Sequence, residues 1–265
     1  MGNGALPKPE EGQSPFGAGG DVGASRVIAV TGLRAEARLA AGPQIHVLSG
    51  GGDGAGLARD LEQEVLAGAS AIISFGVAGG LAPGLGPGTA LVARRVIAAG
   101  GECYDCDRAW SRRLSTALGG ALFVDLAGVD DPVIDQSAKR ALHVETGAHA
   151  ADMESHIAAR VAGAFGLPFA AFRVIADPAE RQLPHAALVG MRPDGTVALD
   201  AVFRSILRDP MQIPQLARTA LDARAAFVAL LRGRKMIAGR LGFTDYRELL
   251  LDLPGEDIFS GTLPV

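Results

Sequence analysis

AIISFGVAGGLAPGLGPGTALVA, residues 71–93, lies inside a window from Val65 to Ala93 that carries no charged residue. An uncharged run of this length satisfies the roughly 20 apolar residues of a membrane helix. It equally suits two strands of a parallel sheet, which read as continuous apolar runs because helices cover both faces. Six glycines and two prolines between Gly76 and Gly88 exclude the membrane helix, because no uninterrupted hydrogen-bonded spiral crosses them. What remains is a central strand, Ala71 to Phe75, running into a loop with few side chains. Backbone of that kind approaches a ligand closely, and in open α/β sheets ligands bind at the C-terminal ends of strands.

Outward from this stretch, strand and helix patterns alternate. Arg26–Thr31, Ile45–Leu48, Thr89–Ala99, Ala121–Val129 and Phe169–Ile175 read as strands. GLRAEARLAAG closed by Gly42, Ala55–Ala67, Asp107–Leu118, Ile134–Leu142, Met153–Phe165 and Ile213–Leu231 read as helices. Such alternation predicts a single-domain three-layer α/β/α fold around a central, mostly parallel mixed sheet. The domain is expected over residues 26–241. Residues 1–25 are rich in Gly and Pro without apolar periodicity and are expected to be disordered, and residues 242–265 form a tail without an assignment.

Composition removes several functions. A net charge of −4 offers no electrostatic footprint for nucleic acid. Two cysteines make no disulfide framework, and the N-terminus lacks the basic and apolar regions of a signal peptide, so a cytoplasmic enzyme or binding protein is expected. Cys103 and Cys106 form a C-x-x-C with no second pair and with scattered histidines, which favours a surface loop over a metal or redox centre. SGGGDGAG, residues 49–56, matches G-x-G-x-x-A through Gly50, Gly52 and Ala55, yet the next strand ends without the acid that holds a dinucleotide ribose. A tight turn lining a site is the better reading.

Two acidic positions carry a local and a chemical reading together. In ADMES, Asp152 suits an N-cap and Glu154 the first helical turn. Asp177-Pro178 suits an N-cap followed by an N1 proline. Glu154 and Asp177 are also candidates for chemistry at a strand end.

The order of SFGVAGGLAPGLGPG, then DMES, then a strand ending RVIAD, resembles the nucleoside phosphorylase and nucleosidase superfamily over roughly residues 26–231. DMESHIAA, RVIADPAERQLPHAAL and DPMQIPQLARTALDARAA look like its hopanoid-associated branch, linked to removing adenine from adenosylhopane. The resemblance implies cleavage of an N-ribosyl bond, which needs a proton for the leaving base, stabilisation of an oxocarbenium-like sugar and a nucleophile on the opposite face. It implies that Asp177 is the acid serving adenine N7, with a pKa raised by burial. Glu154 would accept from the ribose hydroxyls, Met153 would lie under the sugar, the backbone around Val133 would lie near adenine, and Ala78, Gly79 and Gly80 would face adenine and ribose. Glu36, four residues after Gly32, matches the water-activating glutamate of the nucleosidases. Val77 stands where the methylthioadenosine enzymes have serine, and Arg34 offers a charge to phosphate. These two departures pull towards phosphorolysis, but the Glu36 carboxylate repels phosphate, so hydrolysis is expected, with phosphorolysis or a methylthioadenosine/S-adenosylhomocysteine nucleosidase as the alternatives, and no cofactor beyond water or phosphate as co-substrate. The expected ligand is an adenine nucleoside with an apolar 5′ substituent, and a homo-oligomer is expected.

The pattern of Phe227, Leu230, Leu231, Met236 and Ile237 among Arg232, Arg234 and Lys235 admits an interfacial helix touching a membrane or, alternatively, a solvated helix end or subunit contact. A non-catalytic nucleoside or lipid-binding module is the rival class, since fold does not imply activity.

Overall fold

A computed structural model describes residues 26–184, 205, 209–237 and 239–244. The expectations for residues 1–25 and for nearly all of 242–265 fall outside them. The elements run β1 Arg26–Thr31, α1 Arg34–Ala40, β2 Ile45–Ser49, α2 Gly54–Leu66, β3 Ala69–Gly80, β4 Ala90–Ala98, β5 Cys103–Asp105, α3 Arg108–Leu118, β6 Leu122–Gly128, α4 Gln136–Thr146, β7 Ala150–Asp152, α5 Ser155–Ala164, β8 Phe169–Asp177 and, after a 3-10 turn at Pro210–Gln212, α6 Ile213–Met236.

The apolar strands are apolar because both faces are covered. In β1, Ile28 and Val30 pack with Leu57 and Leu61 of α2 and Ile157 and Val161 of α5. Val27 and Ala29 point the other way, into a second core with Ala40 of α1, Trp110 and Leu114 of α3 and Leu230 of α6. The period of two along a strand thus sorts alternate residues into two cores, giving the expected three layers. The described strands form a mixed sheet ordered β2-β1-β3-β7-β6-β4-β5, with β8 pairing both β3 and β4. Since β3 also reaches β4 through β7 and β6, five strands close on themselves, and β1, β2 and β5 extend from that ring.

Three local expectations change. The central strand does not stop at Phe75 but continues to Gly80, because its glycines pair rather than loop: Gly79 and Gly80 sit opposite Ala151 and Ala150 of β7, while β8 runs along the other edge. Cys103 lies in the short strand β5 rather than a surface loop, and the intervening residue pair places Cys106 inside the core, where burial pushes its thiol well up. No helix follows Asp177 through residue 184, so Asp177 ends a strand and caps nothing there.

The end of α6 turns only part of its apolar side inward, leaving Leu231 and Met236 exposed. Leu230 and Ile237 are buried, and Phe227 packs against the second core. Arg234 donates from Nε to Ala40 O and from Nη2 to Ala41 O, both at 3.3 Å, satisfying carbonyls at the C-terminus of α1. Among the described residues no helix is long and apolar enough to cross a membrane.

Candidate active site

A cavity of about 790 Å³ opens where the C-terminal halves of β3 and β8 meet β7 and the start of α1. Glu36, Val77, Ala78, Gly79, Val133, Met153, Glu154 and Asp177 all line it. Gly80, the remaining predicted contact, lies behind this wall: a Cβ there would meet Ala179 N and Asp177 O at 3.2 Å.

Glu36 is placed by the first turn of α1 and is almost wholly buried. Its Oε2 accepts from the backbone N–H groups of Gly32 and Leu33 at 2.8 Å, and its Oε1 from that of Val77 at 2.7 Å. Three converging amides of this kind form an anion-binding nest, and here the protein's own carboxylate fills it. Gly76 has to lack a side chain, because a Cβ would fall 2.6 Å from Glu36 Oε1 and 2.9 Å from Arg173 Nη1. Burial raises the Glu36 pKa, opposed by the charge of Arg173 and by the three amides.

Beside it lies a buried ionic network. Arg173, in the middle of β8, donates from Nη2 to Asp152 Oδ1 at 2.9 Å and Glu154 Oε2 at 3.2 Å, and from Nη1 to Val77 O at 3.2 Å. Asp152 Oδ1 also receives the amides of Glu154 and Ser155, and Oδ2 receives Ser155 Oγ, so Asp152 braces the start of α5 from two residues before the N-cap, which is Glu154 rather than the expected Asp152. Ser155 Oγ, its proton given to Asp152, lies 2.9 Å from Ser74 Oγ of β3 and can accept from it. Glu154 therefore stands on a fixed base, in space left by two missing side chains: a Cβ at Gly32 would come within 2.7 Å of its Oε1, and one at Gly50 within 3.3 Å of its Cγ. Burial pushes Glu154 up to about 7, helped by the charges of Asp152 and Glu36 and resisted by Arg173. For Arg173 burial opposes the charge, but Asp152, Glu154 and Glu36 outweigh it and hold the guanidinium above its ordinary range.

At the opposite end of the cavity, Asp177 closes β8 facing Gly79, whose missing side chain leaves room: a Cβ there would sit 3.3 Å from both carboxylate oxygens. Burial raises the Asp177 pKa, with Lys139 working against it. Lys139, from α4, is fully buried and reaches Asp177 Oδ2 at 2.5 Å. Between the two ends, Met153 and the turn Gly51–Asp53 form one wall, and Leu33, Leu81, Leu183, Ala223 and Phe227 contribute an apolar surface. A second cavity of about 500 Å³ adjoins across Gly52, Asp53, Met153 and Glu154. Among the described residues no group of three or more His, Cys, Asp or Glu could hold a metal ion.

Arg173 and Lys139 were missed by sequence reasoning. Arg173 had a signal, a charge interrupting the apolar strand FAAFRVIA, where burial demands a partner. Lys139 had none, because QSAKRAL reads as an ordinary solvated helix.

The sequence matches the phosphorylase superfamily over residues 31–208. No curated protein matches it significantly. Among solved structures, the chain is similar to 5′-methylthioadenosine/S-adenosylhomocysteine nucleosidase from Helicobacter pylori, at 17% identity over 80% of this chain and 98% of that one, with a TM-score of 0.53. S-adenosylhomocysteine nucleosidase from Streptococcus pyogenes gives 18% identity over 79% and 98%, with a TM-score of 0.52. Futalosine hydrolase of Helicobacter pylori gives 16% identity over 70% and 98%, with a TM-score of 0.54. At these identities the likeness is one of fold.

Proposed function

Because the chain belongs to the phosphorylase superfamily, we propose that it is an enzyme cleaving the N-ribosyl bond of a 5′-substituted adenine nucleoside, with water as the nucleophile. The observation that carries the choice of water is the occupied nest. Its three amides are the natural donors for a phosphate, and Glu36 already uses them. A phosphate at that point would meet a buried carboxylate without its donors, whereas water meets a base.

In this reading Asp177 delivers a proton to N7 of adenine as the bond from C1′ to N9 breaks and its electron pair moves onto the base. Glu154 accepts from the ribose 2′- and 3′-hydroxyls, Met153 lies under the sugar, and the backbone near Val133 borders the base. Glu36 takes a proton from the water that attacks C1′. Each of the three acids lines one cavity, which is the arrangement the chemistry needs.

Methylthioadenosine-type nucleosides are the favoured substrates, supported by the nucleosidases named in the fold comparison. Adenosylhopane is the second reading, favoured by the apolar wall and by a volume of about 790 Å³, in the upper part of the roughly 300–1,000 Å³ common for ligand sites. The test is release of free adenine from methylthioadenosine, S-adenosylhomocysteine and adenosylhopane, each with and without phosphate. Turnover of the first two in phosphate-free buffer is expected. A strict phosphate requirement would overturn the hydrolytic assignment, and no adenine from any of the three would overturn the activity.

A further inference from the structure

Lys139 stands against Asp177 at the end of the cavity and is buried there. A lysine with no exposed surface is costly to bury unless every proton of its ammonium finds an acceptor. Lys139 Nζ has three: Asp177 Oδ2 at 2.5 Å, Pro178 O at 3.1 Å and Arg181 O at 3.0 Å. All its protons are committed, so it has none to give a substrate.

We propose that Lys139 is a positioning residue for the proton transfer: its ammonium holds Oδ2 of Asp177 and leaves Oδ1 to serve the departing base. The proposal rests on the nucleosidase reading. Its further content is that the lysine serves Asp177 in two ways. It fixes the segment that follows β8, since the same ammonium gathers the carbonyls of Pro178 and Arg181, while Gln136 Nε2 on the same helix reaches Glu180 O at 2.5 Å and Leu183 N reaches Ile134 O at 3.3 Å. It also supplies the countercharge at the moment Asp177 becomes a carboxylate. The proton passes from Asp177 to the base nitrogen, the electron pair of the broken C–N bond stays on the base, and the negative charge left on Asp177 stands beside an ammonium already in place.

The charged groups around Asp177 point to Lys139 alone as that countercharge. Lys139 comes from α4. β3 presents Gly79 and no charge. Of the following segment, Glu180 turns its carboxylate to Gly84 N and Arg181 pairs with Asp222 of α6. Glu36 and Glu154 border the same cavity but belong to the Arg173 network.

An acid must hold its proton to act, so activity is lost as pH rises through its pKa. Removing the ammonium raises that pKa and moves the alkaline limb upward. The experiment is the pH dependence of adenine release by wild type, Lys139→Met, Lys139→Gln and Lys139→Arg, with thermal melts to identify folded variants. For the two neutral variants an upward shift of the alkaline limb by about 1–3 units is expected, with kcat at neutral pH lowered at least about tenfold. Lys139→Arg is expected to keep the wild-type limb. A neutral variant that melts normally with an unmoved limb overturns the proposal, whatever its kcat. If neither neutral variant folds, Lys139→Arg still decides, because a displaced limb with the charge retained overturns it. Wild type that releases no adenine at any pH marks failure of the nucleosidase reading instead.

Discussion

At one end of the cavity a single guanidinium, Arg173, faces three carboxylates, Asp152, Glu154 and Glu36; at the other a single ammonium, Lys139, faces one, Asp177. Both ends are buried, so desolvation raises the acids at each. They differ in what is missing. The Arg173 end sets three carboxylates against one guanidinium, a shortage of positive charge that repels an anion. The Lys139 end is balanced, which suits a group that alternates between acid and carboxylate within one turnover. In the proposed mechanism the first ratio selects the ligand and the second sustains the proton transfer.

Asp177→Asn breaks the balanced end and is expected to have the largest effect, a fall in kcat approaching 10⁴-fold, about the upper limit for one acid, with KM little changed. Steady-state adenine release measures it, and near-normal turnover would remove Asp177 from the chemistry. Arg173→Met breaks the other end. It leaves three carboxylates without their cation, and a loss of about 3–5 kcal/mol of stability is expected by denaturant unfolding, because a buried ionic set missing one partner is worse than none. Glu36→Ala empties the nest instead of unbalancing the network. Phosphate-free turnover is expected to fall about 10²-fold, and phosphate should now bind the freed amides, visible by calorimetry with phosphate alone.

The smallest effect sharpens the comparison through pH. Glu154 rises from an ordinary 4.5 to about 7 on folding. A raised folded pKa contributes stability that is present below the unfolded value and lost as pH rises through the folded one. The ligand-free protein is therefore expected to melt a few degrees lower at pH 8 than at pH 5, and Glu154→Gln to show a flatter profile. In the proposed mechanism, where Glu154 accepts hydroxyls as a carboxylate, the sign reverses, and kcat/KM should decline below about pH 7.

Much of this was legible before folding. The uncharged glycine stretch at residues 71–93 announced a central strand beside a site, and alternating strand and helix patterns announced the three layers. Glu154 and Asp177 stood out by position relative to strand ends and Glu36 by the family resemblance, and all three line the cavity. Two things misled. Glycines that read as a loop extend β3 to Gly80, because missing side chains served approach by Glu36 and Asp177 rather than chain reversal. Of the cations at the end of α6 that read as a surface patch, Arg232 and Lys235 are exposed, but Arg234 is spent on the carbonyls of α1.

What the amino-acid sequence determined by itself was which residues are apolar, where the chain must turn and which acids fall at strand ends, since propensity and periodicity act over a few neighbours. Only the tertiary structure decided which cation meets which acid. Arg173 lies 19 positions from Glu154, and Lys139 lies 38 from Asp177. Local pattern carries no information on pairing across such separations, and the energy of a buried charge depends almost entirely on the partner that folding brings to it.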